Sequence, residues 1–269
     1  MRIPVQRLFA ILVTFVLLLS VNRVAADPVP VKHIQGDFFA FLALRDLDGQ
    51  PIAYGDLKQV VNNDGQVMDD LQFRFKDGSF FEEITKFTQH HELRLVSDQV
   101  VQKGPSFKQE SETWIDAATG KITVRSTDNG KEKVTNKHLD LPPDVSNGLL
   151  WMVALNANPA APETTVSMVA ASSGPRVVKL NFVPAPEQAI KVGPLTYRAQ
   201  HYIVKTKIKG VAGVIAPIVG KQPPDIHIWI VKSEAPAIVG FEGPLSESTP
   251  VWRMEQTVPA KDVPKTKTE

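Results

Sequence analysis

Leu71-Gln72-Phe73-Arg74-Phe75-Lys76, closed by Asp77-Gly78, is the stretch that decides the fold class. Apolar and polar side chains alternate, so Leu71, Phe73 and Phe75 share one face while Gln72, Arg74 and Lys76 share the other. A period of two belongs to a strand with one face buried and one face wet. The Asp-Gly pair that follows is the strongest short-range hairpin signal, because a type I′ turn needs positive φ at both central residues. Asp48-Gly49 and Asp64-Gly65 repeat that signal upstream, and 91–96 repeats the alternation downstream through Leu93 and Leu95. From Gly36 to Gly104 the pattern predicts an antiparallel meander of about five strands.

The same signals run outward. Segments 113–116 and 121–125 flank a turn at 117–120, and Asp128-Asn129-Gly130 leads into an extended stretch at 131–138. Beyond Pro162, segments 163–171, 175–182, 194–209, 226–232, 236–241 and 250–256 also read as strands, with prolines marking entry points rather than central pairing positions. One interruption stands between the two halves. Leu141-Pro142-Pro143 stops the strand pattern, Asp144 is placed to cap a helix, and 145–157 carries Leu149, Leu150, Trp151, Met152, Val153 and Leu155 before halting at Asn158-Pro159. Apolar side chains on nearly every side predict a helix buried all round. The expected fold is therefore mainly β: a large curved antiparallel sheet, an open half-barrel or sandwich-like, wrapping one buried helix at about 144–157. Residues 27–258 form a single domain in this reading, and the lysine- and threonine-rich 259–269 is expected to be a disordered tail.

The first 26 residues bear on location. Arg2 and Arg7 form a short positive region, 8–19 is apolar except for Thr14, and Val24-Ala25-Ala26 supplies small residues just before Asp27. This is the pattern of a cleavable signal peptide with cleavage after Ala26, too short in its apolar part to span a bilayer. The chain has no cysteine, hence no acylation site of the lipoprotein kind and no disulfide. With no Asn-x-Ser/Thr sequon either, an exported bacterial envelope protein, periplasmic or secreted, is the expectation, with no transmembrane segment in the mature chain. The formal charge of +1 turns slightly negative once Arg2, Arg7 and Arg23 are removed, which gives no electrostatic reason to bind nucleic acid. Lys205, Lys207 and Lys209 alternate along one segment, as on a solvated sheet face.

No motif supports an enzyme. His90-His91-Glu92 lacks the second His four positions on that a helical zinc site needs, and on a strand the two rings point to opposite faces. His33, His138, His201 and His227 are scattered singly. Gly-x-Ser-x-Gly is absent, as is a glycine-rich phosphate loop. The adjacent acids Asp69-Asp70 and Glu82-Glu83 split across two faces of a strand, so a carboxylate pair for glycoside hydrolysis would need partners from other strands. Among the tryptophans, Trp114, Trp229 and Trp252 fall in strands, while Trp151 on the helix is placed either to pack the core or to line a ligand cavity. The segment 210–220 carries no polar side chain and is hinged by Gly210, Gly213 and Gly220 and interrupted by Pro217. It reads either as an apolar flap over a cavity or as a buried plug at one end of the sheet, and the plug is favoured because exposed apolar loops of this size impair solubility.

The run 210–225 leading into His227-Ile228-Trp229-Ile230, the stretches 241–245 and 250–253, and 73–78 with 104–107 resemble an uncharacterised group of exported bacterial proteins, to which no activity attaches. A long meander with one buried helix is also similar to the open half-barrels of periplasmic lipoprotein carriers. That likeness is architectural. The functional expectation is a soluble, non-enzymatic envelope protein that binds or carries an apolar ligand, a lipid or acyl chain, through Trp151, Val214, Ile215 and Ile218, without cofactor or metal. The alternatives are a hydrolase of envelope polymers whose carboxylates or histidines are assembled by the fold, and a structural protein binding an envelope partner.

Overall fold

The computed structural model describes residues 28–128, 130–171, 174–192, 195–207, 223–233, 236–247 and 249–258. The strands are β1 (Phe38–Arg45), β2 (Pro51–Val61), β3 (Gln66–Phe75), β4 (Phe80–Gln89), β5 (Leu93–Lys103), β6 (Ser111–Asp116), β7 (Lys121–Asp128), β8 (Lys131–His138), β9 (Thr164–Ala170), β10 (Arg176–Val192), β11 (Leu195–Lys207), β12 (Ile226–Val231), β13 (Ala237–Gly243) and β14 (Trp252–Thr257). All fourteen form one antiparallel sheet in the order β8-β7-β6-β5-β4-β3-β2-β1-β14-β13-β12-β11-β10-β9. The chain begins its sheet in the middle, steps outward to one edge at β8, and crosses to the opposite edge at β9. It then steps back inward until β14 pairs with β1.

The hairpins follow the Asp-Gly pairs, with a difference in turn geometry. Gly49, Gly65 and Gly78 have φ of +83, +80 and +86°. The hydrogen bonds close one residue earlier than a two-residue type I′ turn would: Phe75 N–H donates to Ser79 O and Gly78 N–H to Phe75 O, and 46–50 and 62–66 match this pattern. This is the three-residue loop ending in a left-handed glycine, which twists adjoining strands in the right sense as well.

Among the described residues one helix, α1 (Leu150–Asn156), lies against β12 and β13 on the inner face, with the Trp151 ring 6.1 Å from that of Phe241. It is shorter than 145–157, and Asp144 does not cap it: the N-cap is Leu149, with no side-chain cap. The reason is the unpaired edge of β9, a liability that proteins cover. Val145 pairs in parallel with Ser167, Ser146 N–H donates to Ser167 O, and the Asn147 side chain both donates to Val169 O and accepts from Val169 N–H. Asp144 accepts from Ser167 Oγ at 2.8 Å and pairs with Lys179 at 2.9 Å. Residues that would have made the first turns of a helix thus serve as edge cover. Gly148, at φ +68°, then turns the chain over β4 and β5. The opposite edge is drawn near by Lys137 Nζ, which donates to Pro175 O at 2.7 Å, although the sheet does not close into a barrel.

Both ends of the curved sheet are covered. At one end 28–37 runs as a strap: Leu93 N–H donates to Val29 O, Gln35 and Gln89 exchange two bonds, and Asn156 Oδ1 accepts from Lys32 and His33 N–H. At the other end Phe75, Phe107 and Trp252 meet with ring centroids 5.3–6.3 Å apart. Between the ends lies a core built from the inward residues of the sheet and the buried side of α1.

Candidate functional site

Along β3 the inward positions are Val67, Asp69, Leu71, Phe73 and Phe75, all buried. Asp69 is therefore a carboxyl in an apolar row. Its cross-strand neighbours are Gln59 on β2 and Thr85 on β4, and Thr85 in turn faces Asp98 on β5. Asp69, Thr85, Asp98 and Gln59 are all at most 3% exposed. Glu83, two residues before Thr85 on the inward face, is partly exposed as a residue, while its carboxyl is enclosed beside the other two. Asp70 and Glu82 point the other way, as the alternation requires.

Burial pushes Asp69 up from 3.8 to about 7, opposed by the nearby Trp151 indole. Burial likewise lifts Asp98 to about 7, against a hydrogen bond from Thr85 Oγ at 2.9 Å. Glu83 is raised well above the carboxylate range by burial first, then by the charges of Asp98 and Asp69. These acids do not share one open cleft. Asp98 sits beneath Gly148, whose added Cβ would lie 2.7 Å from Asp98 Oδ1, whereas Asp69 lines a cavity of about 180 Å³ between α1 and the sheet. Glu83 and Asp98 are not among the residues that line this cavity.

The cavity walls are Ala40, Leu42 and Leu57 from the sheet, Trp151, Met152 and Leu155 from α1, and Ile238, Phe241 and Met254 from β13 and β14. Phe38, Ala237 and Gln256, all exposed, form its mouth beside the strap residue Gln35. Four of its polar atoms are unsatisfied. Both Asp69 carboxyl oxygens, Gln59 Oε1 and Trp151 Nε1 are buried without a hydrogen-bond partner among the described residues. The indole faces the carboxyl closely enough to lower its pKa, yet outside hydrogen-bond geometry.

Of the residues expected to bind ligand, Trp151 lines this cavity, while Val214, Ile215 and Ile218 lie outside the described residues, as does the whole 210–220 segment. Asp69 and Gln59 were not anticipated. The available signal was a polar side chain standing in phase with an apolar row. The histidines also differ from a scattered set: His201 Nε2 and His227 Nδ1 are 2.9 Å apart on the outer face, and both rings stack beside Trp229. Burial, then the neighbouring His227, lowers the His201 pKa. This stack borders a second, polar hollow of about 490 Å³ under the bent end of β10, where Trp229 Nε1 donates to Gln188. His90 and His91 sit in the β4–β5 turn, away from both. Among the described residues no group of three or more His, Cys, Asp or Glu could hold a metal, and no helix is long and apolar enough to cross a membrane.

No family model, no curated protein and no solved structure matches this chain.

Proposed function

We propose that the protein binds an apolar ligand, non-enzymatically, in the cavity between α1 and the inner face of the sheet. The observation that carries this is a concave, mostly aliphatic and aromatic chamber that opens at Phe38, Ala237 and Gln256 and keeps a few unpartnered polar atoms at its wall. Ligand sites are built in this way, with apolar walls for affinity and a small number of polar groups for orientation. A polar group left unpaired in the folded state costs about 1–3 kcal/mol, a cost that a ligand supplying the missing partner removes. At about 180 Å³, the cavity is near the size of an engineered cavity of about 150 Å³ that takes up benzene. It therefore suits a single ring or the end of an acyl chain. Export through the 1–26 segment would set this binding in the periplasm or outside the cell.

The test combines two measurements. Native mass spectrometry of the protein purified from its own cell envelope should show a retained small apolar molecule. Toluene should raise the melting temperature of the ligand-free protein, and Leu155→Phe, which fills the cavity, should remove both effects. A clean ligand-free mass together with no response to toluene overturns the reading.

A further inference from the structure

We propose that the cavity selects apolar amines, with a compact apolar body against Trp151, Met152 and Leu155 and an ammonium group directed at Asp69 and Gln59 Oε1. This rests on the binding reading above and specifies the chemistry of its ligand.

The unpaired atoms set the polarity. Three are acceptors, namely the two Asp69 oxygens and Gln59 Oε1, and one, Trp151 Nε1, is a donor. The Gln59 amide is held in orientation, because its Nε2 donates to Gly36 O at 2.7 Å, and its Oε1 is the acceptor without a partner among the described residues. Asp69 is 3% exposed and Gln59 1%, so water does not serve them freely. An ammonium carries three donors and no acceptor, the complement of the three acceptors, while the Trp151 N–H is left facing the Asp69 carboxyl.

The charge argument points the same way. Glu83 and Asp98 stand on the same inner face as Asp69, and among the described residues no cation lowers the pKa of any of the three. A buried carboxylate without a counter-charge is expensive, and such acids take up protons instead. A ligand ammonium supplies the missing charge through bonds of the charge-assisted kind. A carboxylate or phosphate head in the same place would meet acceptors and like charge, so fatty acids are disfavoured with their heads inward.

Four ligands of one ring size test this by calorimetry on the purified protein at pH 7.5: benzylamine, benzyl alcohol, toluene and benzoate. Benzylamine is expected to bind at least tenfold more tightly than toluene, the alcohol to fall between them, and benzoate not to bind. Asp69→Asn should bring benzylamine to the level of toluene while leaving toluene unchanged, and Gln59→Leu should weaken benzylamine several-fold. The order among the four ligands needs no variant, so it stands even if a substitution fails to fold. Toluene binding as tightly as benzylamine, or benzoate binding at all, overturns the amine proposal and leaves the binding reading intact. If none of the four binds, the binding reading itself fails.

Discussion

Asp69→Asn should stabilise the protein at neutral pH, an unusual result for a buried polar residue. The folded carboxyl holds its proton up to about pH 7, whereas the free side chain holds it only to 3.8. Between those values the folded state binds more protons than the unfolded state, so stability is greatest below pH 3.8 and is lost as the pH rises toward 7. At about 1.4 kcal/mol per pH unit, the full difference is about 4 kcal/mol above pH 7. Asparagine never ionises, and its amide can donate to the facing Gln59 Oε1, which has no hydrogen-bond partner among the described residues. We expect a gain of about 2–4 kcal/mol at pH 7.5 and a much smaller effect at pH 4, with Asp98 and Glu83 still buried and Glu83 relieved of the Asp69 charge. Urea unfolding at both pH values measures it. A loss of stability at pH 7.5, or an equal effect at pH 4 and 7.5, would refute the account of Asp69 as a carboxyl strained by burial. Such a gain is the usual sign of a residue kept for binding rather than for stability.

Gly148→Ala should cost more than about 2 kcal/mol, since Gly148 has φ +68° and an added Cβ would lie 1.9 Å from Thr85 Oγ1; an unchanged urea midpoint would contradict the path of the chain over β4 and β5. Asp144→Ala should cost about 2–4 kcal/mol, more than the roughly 1 kcal/mol of a lost helix cap, because it leaves Lys179 and Ser167 without their buried partner. A loss near 1 kcal/mol accompanied by lower helix content on circular dichroism would restore the capping role. Trp252→Ala should cost about 3–5 kcal/mol by opening the aromatic cluster with Phe75 and Phe107, and an effect below 1 kcal/mol in the same titration would show that this end of the sheet is not packed as described.

The strands and their hairpins were legible from local pattern, because a side-chain period of two and a glycine at positive φ are properties of a few consecutive residues. The alternation around Phe73 assigns an inner and an outer face before any partner strand is known, and Asp77-Gly78 marks the turn. The second half of β10 was not legible, since the strand expected at 175–182 runs on to Val192 through a bulge at 185–188. Helix length was likewise decided from outside: 144–147 could have coiled, but the open edge of β9 offered backbone partners that a helix could not. The site shows the same division. Trp151 could be singled out as a large apolar side chain with a polar atom on a buried helix. Asp69 lies more than eighty residues away from it, and the distances among Asp69, Gln59 and Trp151 depend on sheet register and on where α1 docks. Thus the sequence alone determined which side of each strand faces inward. Which inward residues meet was decided only by tertiary structure, because register and docking arise from packing the whole sheet at once.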